Sequence, residues 1–160
     1  MPDIGSDGNI RVAFVVSIAN KAAPTAAECN GGLRLDAVAS AAGLIGWEPE
    51  TASVNNRKLS STFNSSDVGS ISIDESTMEF FKQSGTDTIY TTLVKLAVGF
   101  VVIRRSIAAA TPFAASQLLQ GVYPVRCGQR TWMGVEENTN ERWRMPFKIT
   151  DEPAFDAVVA

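Results

Sequence analysis

The sequence contains no histidine among its 160 residues. Histidine is the usual general base near neutral pH and the commonest metal ligand in proteins. Its absence removes Ser–His and Cys–His nucleophile pairs and most zinc sites from the chemistry that the chain can carry. We therefore expect a protein with no catalytic residues, no bound metal and no cofactor.

Cysteine is scarce as well. Cys29 and Cys127 are too few for a disulfide framework. Because free cysteine is among the most buried residue types, we interpret both as buried free thiols. The alternative is a disulfide between them, since the sequence does not give the distance between their Cα atoms.

Long apolar runs and a strong charge of either sign are also missing. The apolar run at 12–18 is far shorter than the roughly 20 residues that span a bilayer. The first residues lack the basic and apolar regions of a secretory signal. A net charge of −3 is too small to indicate a general nucleic-acid binder. We expect a soluble protein with no membrane contact.

The chain has the length and composition of one folded domain. Its 160 residues are 45% hydrophobic, which is enough for a sizeable core. Residues 1–10 are rich in Gly, Ser and Asp, and they predict a flexible N-terminal arm. Residues 11–160 then form a single domain.

Alternating and β-branched segments predict a mainly β fold. The clearest is 141–150, where Trp143, Met145 and Phe147 alternate with basic residues. Pro124 lies inside a predicted strand, and it predicts an edge strand or a bulge because proline cannot donate to a ladder. The predicted strands are 11–18, 33–38, 69–76, 78–83, 98–103, 122–127 and 141–150, followed by a last strand or docked tail at 151–160.

One short helix is predicted at about 86–96. Thr86 has the side chain of an N-cap, and Asp87 and Lys95 suit the two ends of the helix dipole. Ile89 and Leu93 form part of a narrow apolar stripe that must pack on a sheet. A separate capping-box pattern at Thr25–Glu28 predicts one further helical turn.

Two segments lack a clear period. Residues 39–67 are interpreted as a long loop, and 106–120 as an irregular segment. Loops of such length in compact domains are usually functional. Leu44, Ile45 and Trp47 either fold back onto their own domain or insert into a neighbouring subunit, and the sequence leaves both open.

Charged pairs do not indicate an active site. Asp74–Glu75 and Glu136–Glu137 point to opposite faces if they lie in strands, so we interpret them as solvated surface groups. Arginines at 104, 105, 142 and 144 carry enough charge to bind phosphate. Ion pairing between strands or between subunits is the interpretation we favour for them.

Five segments, in order, are similar to elements of one known family. The chain resembles the major tail (tube) proteins of long-tailed, non-contractile bacteriophages, especially those that infect actinobacteria. The resemblance covers roughly residues 12–160 and is carried by Ala23–Gly32, Arg57–Ser61, Thr88–Arg104, Val122–Gly128 and Asp156–Val159. The segments 95–98 and 106–120 depart from the family's pattern.

The resemblance implies a β-sandwich or barrel of the tail-tube type with one flanking helix and long loops. It implies a structural virion protein, assembled in the host bacterial cytoplasm, whose hexameric rings stack into a tail tube that delivers viral DNA. Its partners would be further copies of itself, the tape measure, tail tip and tail terminator proteins, and DNA passing through the lumen without sequence preference.

The tube interpretation assigns roles to particular residues. The lumen must not hold phosphates, so its lining should be polar and not basic. We expect it at Ser70, Ser72, Asp74 and Ser76, which share one face of a predicted strand. Ring-to-ring contacts are expected from the long loop, at Leu44, Ile45, Trp47, Glu48 and Arg57, and intersubunit ion pairs at Arg104, Arg105, Arg142 and Arg144.

Two other classes remain open. A head decoration protein or a tail-end protein would use a similar β domain without forming long tubes. A small ligand-binding β-barrel would instead be a monomer with an apolar pocket and convergent polar groups.

Overall fold

The computed structural model describes residues 3–160 and contains eleven strands and two short helices. Met1 and Pro2, the start of the predicted N-terminal arm, lie outside the described residues. The elements are β1 Arg11–Val15, α1 Ala26–Gly31, β2 Leu33–Arg34, β3 Ala39–Ile45, β4 Glu50–Asn55, β5 Ser66–Ser72, β6 Ser76–Phe81, α2 Thr88–Thr92, β7 Val98–Arg104, β8 Gly121–Cys127, β9 Thr131–Trp132, β10 Arg142–Ile149 and β11 Ala154–Phe155.

Nine strands form one antiparallel sheet, and the sheet is strongly curled. Its main order is β2-β1-β7-β8-β10-β6-β3, with β11 on β8 and β9 on β10. If the sheet were flat, the six spacings between neighbouring strands from β2 to β3 would put these two edge strands about 29 Å apart. Residues 35–38, which connect β2 to β3, can span at most about 17 Å. The sheet must therefore bend until its two edge strands approach one another.

The curl gives the sheet an inner core and a separately covered outer patch. Inside, Trp47, Tyr123, Trp143 and Phe147 meet as fully buried aromatic side chains. Outside β1, β7 and β8, helix α1 and the 106–120 segment cover a second cluster that includes Phe113. The C-terminal tail closes this cluster with Ala157 and Val159. The predicted mainly β, sandwich-like fold is confirmed.

Several local predictions are confirmed in detail. In β10 the inward residues Trp143, Met145 and Phe147 are buried, while Arg144 and Lys148 point outward. The capping box also forms. Thr25 Oγ1 accepts a hydrogen bond from Glu28 N at 3.2 Å, and Glu28 Oε2 accepts one from Thr25 N at 2.8 Å.

The flanking helix is shorter than the predicted 86–96, and Asp87 rather than Thr86 is its N-cap. The Asp87 carboxylate accepts from the backbone N–H groups of Tyr90 and Gln83 and from Lys82 Nζ. Burial alone would raise the pKa of Asp87, but these donors outweigh burial and lower it. After Thr92 the chain leaves the helix, because Leu96 N donates to Cys127 O at the end of β8.

The prediction of an edge position or a bulge for Pro124 is wrong. Strand β8 lies inside the sheet, between β7 and β10. Pro124 O accepts a hydrogen bond from Thr150 N, so the proline nitrogen faces the same side of β8. On that side, the pairing of β8 with β10 reaches only to Val125, and its pairing with β11 starts at Val122. The missing N–H therefore falls at a gap in the neighbouring ladder and costs no strand pairing.

The segment 39–67 is not a loop throughout. It contains β3, β4 and the start of β5. Strand β3 consists largely of small residues and has an irregular register against β6. Strand β4 is exposed along its whole length, so no polar and apolar alternation marks it in the sequence.

Both cysteines are free, and both are buried. Burial raises the pKa of each thiol to about 11. The interpretation as buried free thiols is confirmed, and neither group is a reactive thiolate near neutral pH.

Strands β3 to β6 form one long hairpin that bends in its middle. β3 pairs with β6 and β4 pairs with β5. At the bend, Gly46 has φ +75°, and a Cβ there would lie 1.6 Å from Glu75 O, so only glycine fits. Trp47 then enters the core, where its ring centroid lies 5.1 Å from that of Tyr123 and 5.5 Å from that of Phe147.

Two hydrogen bonds fix Trp47 at this bend. Its Nε1 donates to Thr77 O at 3.1 Å, and its own carbonyl accepts from Tyr123 Oη at 3.2 Å. The indole thus joins the distal half of the hairpin to the core of the domain.

We expect Trp47→Ala to lower the free energy of unfolding by about 3–5 kcal/mol, because it opens a large cavity and leaves the Thr77 carbonyl without its donor. Urea unfolding followed by circular dichroism measures the change. Leu59→Ala, at a fully exposed position, is the matched control and should change stability by less than about 0.5 kcal/mol. Equal effects of the two substitutions would contradict the anchoring role.

Candidate assembly surfaces

The distal half of the long hairpin is a separate arm. We define the arm as β4, the tip at 56–65 and β5. Its two strands form a sheet of their own and pair only with each other among residues 3–160. All of β4 is exposed, and in β5 only Gly69 is partly buried. An isolated two-stranded hairpin is marginally stable in water.

The two faces of the arm differ in chemistry. In the arm, Thr51 pairs with Ile71 and Ser53 pairs with Val68, with a register shift between the two pairs. Thr51 and Ser53 lie on the same face of β4, so their partners, the two apolar residues of β5, also share that face. That face is solvent-exposed, with Val68 73% accessible. The opposite face carries Glu50 and Asp67 as well as Ser70, Ser72 and the exposed Val54. The two carboxylates of the arm therefore lie on this face, and both apolar residues of β5 lie on the other.

Arg57 shapes the tip of the arm. Its Nε donates to Ser61 O at 3.0 Å, and its Nη1 donates to Asn64 Oδ1 at 3.2 Å. This bracing leaves Leu59 fully exposed and Phe63 75% exposed. Neither residue was predicted from the sequence as a contact residue, although two large apolar groups in a polar segment were a usable signal.

The predicted inter-ring residues do not act as one group. Trp47 is buried in its own domain, so the expectation that it reaches a neighbouring subunit is wrong. Leu44 packs against the same core, while Ile45 stays partly exposed beside it. Glu48 is exposed at the base of the arm, and Arg57 at its tip.

The predicted lumen residues do not share one strand face. Ser70 and Ser72 belong to β5, but the strand ends there and Asp74 lies in the connection to β6. Ser76 is buried, and its Oγ donates to Gly46 O at 3.0 Å. The bend of the hairpin interrupts the alternation that the sequence suggested. Ser70, Ser72 and Asp74 remain exposed.

Arg104 is not a surface charge. Its side chain is fully buried, and burial, followed by repulsion from Arg11, lowers its pKa. The guanidinium instead binds the irregular 106–120 segment. It donates to the carbonyls of Ala108, Thr111 and Pro112 and to Gln117 Oε1, at 2.9–3.0 Å.

Arg11 completes this attachment from the neighbouring strand. It lies directly opposite Arg104 in the ladder of β1 and β7. Its Nη1 donates to Ala109 O at 3.0 Å and to Thr111 O at 3.1 Å. The guanidinium groups of Arg11 and Arg104 both lie over the ring of Phe113, 5.2 Å and 5.1 Å from its centroid. Two cations thus hold the 106–120 segment through backbone carbonyls, a pattern without a local sequence signature.

The other predicted arginines pair mostly within the chain. Arg144 Nε donates to Glu79 Oε1 at 3.1 Å across β10 and β6, and Arg142 lies 3.9 Å from the same carboxylate. Both arginines thus form ion pairs between strands of their own chain, one of the two kinds of pairing expected from the sequence. Arg105 is exposed and donates to Gln120 Oε1.

A second exposed surface lies at the opposite end of the sheet from the arm. We define the far-end loop as residues 133–141, between β9 and β10. Val135 there is 96% exposed, and the adjoining Trp132 is 52% exposed. Glu136, Glu137 and Glu141 make the loop acidic. Of these residues, only Glu136 and Glu137 were interpreted from the sequence, as solvated surface groups.

Cavities of the domain are surface grooves rather than a convergent polar site. One of about 640 Å³ lies between the base of the arm and the 149–155 segment, with Ile71, Ile149 and Phe155 in its lining. Within residues 3–160, no three Cys, Asp or Glu side chains cluster closely enough to hold a metal ion. In the same range, no helix is long and apolar enough to cross a membrane.

Comparison with known proteins shows the family of the chain and a similarity in fold to a solved assembly. The model of the phage tail tube protein family matches residues 1–160. The chain is also similar in fold to a chain in the cryo-electron microscopy structure of the anti-feeding prophage baseplate, which was 6-fold symmetrised. The two share 11% identity with a TM-score of 0.56, over 94% of this chain and 95% of that one. A search of curated proteins found no match.

Adjacent arginines should behave differently on substitution. Arg104→Met removes a buried guanidinium and leaves three partly buried hydrogen bonds to carbonyls unmade, so we expect it to lower the free energy of unfolding by at least about 2 kcal/mol. Arg105→Met removes the same charge from an exposed position and should stay within about 0.5 kcal/mol of the wild type. Urea unfolding of both variants checks this. A larger loss in Arg105→Met would overturn the internal role of Arg104.

Proposed function

Because the chain belongs to the phage tail tube protein family, we propose that its copies form closed hexameric rings that stack into a hollow tail tube. The chain is a structural tail protein. The proposal depends on the arm, whose strands pair with no other element of the described chain and whose apolar face is exposed. Apolar side chains that are grouped on one exposed face favour a protein interface there.

Strand edges support self-assembly. Strands β4 and β5 each have one edge without a partner in the described chain. An unpaired edge is a template for pairing with another chain, and proteins that do not assemble usually block it. The exposed arm is not blocked by a bulky cover or by proline. We infer that a second copy provides its partner.

Six-fold closure is the ring symmetry we propose. The baseplate structure with the similar fold was 6-fold symmetrised. Ring closure requires a heterologous contact, in which two different surfaces of the subunit meet. The arm and the curled sheet are two such surfaces. Stacking of closed rings then produces a tube of indefinite length.

We place this tube in the virion, after assembly in the host cytoplasm. The tail proteins that would join it are the tape measure, tail tip and tail terminator proteins. Viral DNA would pass through its lumen without sequence preference, since a conduit must not retain its cargo.

The acidic face of the arm is the lumen lining that we propose. Ser70 and Ser72 keep this role, with Glu50 on the same face of the arm, and we add Asp74 from the adjoining connection to β6, while the buried Ser76 loses it. Carboxylates facing the DNA would repel its phosphates and keep it mobile. Among the predicted intersubunit charges, Arg105 remains a candidate because it is exposed.

The proposal predicts hollow tubes or stacked six-membered rings in electron micrographs of the purified, concentrated protein. Negative staining across a salt series is the measurement. A uniform monomer under all conditions, in the presence of the other tail proteins, would contradict the tube. Rings that never stack would instead favour a tail-end or decoration role.

Removal of the arm should separate folding from assembly. Thr51 and Ile71 face each other across the hairpin, so residues 52–70 are replaced by an Asn-Gly turn. Trp47 and the core stay intact. We expect a urea midpoint close to that of the wild type but no tubes in micrographs. Tubes of normal length from this variant would exclude the arm from the assembly contacts.

Asp74→Lys tests the lumen assignment. It should leave tube formation intact but make the tubes bind short duplex DNA, because a ring of lysines would contact phosphates. Co-sedimentation of labelled DNA with tubes at low and high salt measures the binding, which should fall as salt rises. Asp3→Lys, an exposed change of equal charge, is the control. Equal DNA binding by both variants would place Asp74 outside the lumen.

A further inference from the structure

The strands give the domain two ends with different surfaces. The arm leaves the sheet beside Ser76 of β6 and Ile149 of β10, and the far-end loop precedes Arg142 at the other end of β10. Strand β10 has eight residues, which separates the two ends by about 26 Å.

The arm tip is apolar and basic. Leu59 and Phe63 project from it, with Arg57 and Lys58 beside them, and no acidic residue occurs between positions 51 and 66. Its hydrogen bonds within the described chain stay inside the arm, for example from Asn56 N to Ser65 O. The tip is therefore shaped but has no docking partner within its own domain.

The far-end loop has the complementary chemistry. Val135 and Trp132 are exposed there, and the loop holds three glutamates and no lysine or arginine. Of the three, Glu136 is engaged by Arg142 at 3.4 Å. A groove of about 230 Å³, lined by Trp132, Val135 and Glu141, opens beside them.

We propose that the far-end loop is the receiving site for the arm tip of a second copy of this chain in the next ring. The inference rests on the proposed function and names the surface that the arm meets. Leu59 and Phe63 would pack on Trp132 and Val135, while the tip's cations face the loop's glutamates.

The geometry favours a contact of the arm tip with the far-end loop of a second copy rather than with the far-end loop of its own chain. The tip and the loop sit at opposite ends of the sheet, and the bend that aims the arm is locked by Trp47. A contact between two different ends of identical subunits is heterologous and leaves both ends open for the next subunit. Such a contact propagates along an axis, as stacked rings require.

Engineered cysteines test the contact directly. The native thiols of Cys29 and Cys127 are 1% exposed, so new surface cysteines are the reactive ones. We expect tubes of the double variant Leu59→Cys/Val135→Cys to give a ladder of disulfide-linked multimers on a non-reducing gel after mild oxidation. Each single variant, assembled and oxidised in the same way, should give no ladder.

The outcomes separate this inference from the function on which it rests. Tubes without a ladder in the double variant would overturn the receiving site and leave the tube proposal standing. Failure of the wild-type chain to form tubes would overturn both. A ladder from Leu59→Cys alone would mean that arm tips meet one another, which also overturns the receiving site.

A charge swap provides a second readout without new covalent chemistry. Lys58→Glu or Glu137→Lys alone puts like charges together at every junction, and each contact's equilibrium constant should fall by about fivefold. The double variant restores opposite charges and should form tubes near the wild-type concentration. Lys95→Glu, an exposed reversal outside both surfaces, should leave that concentration unchanged. Lack of rescue in the double variant would overturn the pairing.

Discussion

The structure depends on the burial of one tryptophan at the bend of a long hairpin. Trp47 packs between Tyr123 and Phe147, and its backbone carbonyl is held by the Tyr123 hydroxyl. A hairpin that leaves a sheet without such an anchor has no fixed direction, because its own two strands are marginally stable. Because the indole is packed in the core, the backbone at the base of the arm is held in one orientation relative to the sheet. The direction of the arm is thus set before any partner is present, which reduces the ordering cost of assembly.

A second constraint comes from one buried and one partly buried cation. Arg11 and Arg104 bind the carbonyls of the 106–120 segment and share the ring of Phe113. Both guanidinium groups donate to carbonyls of their own chain, which leaves fewer of their N–H groups for contacts between subunits. Glu79 similarly occupies Arg142 and Arg144. These arginines are thus engaged within the chain, whereas the arm and the far-end loop expose large apolar side chains such as Phe63 and Val135.

Sequence patterns predicted those parts of the fold in which one side of an element is buried. Strand β10 was predicted because its burial alternates residue by residue. Strand β4 was missed because it is exposed on both faces, so hydrophobic periodicity carries no signal there. The roles of Trp47 and Arg104 were misassigned for another reason. Each is decided by partners that the fold brings together, such as Tyr123 for Trp47, and spacing along the chain does not encode such contacts.

A tube built from such subunits needs contacts that are weak singly and strong together. The arm presents a few exposed apolar residues, Val68 and Phe63 among them, rather than a large patch. One such contact is too small for a stable dimer, so free subunits stay apart. In the proposed tube, every arm of a closed ring would meet the next ring at the same time, and the effective concentration of each contact would rise. Exposure of a narrow, rigidly aimed arm is therefore compatible with a soluble monomer and with a cooperative tube.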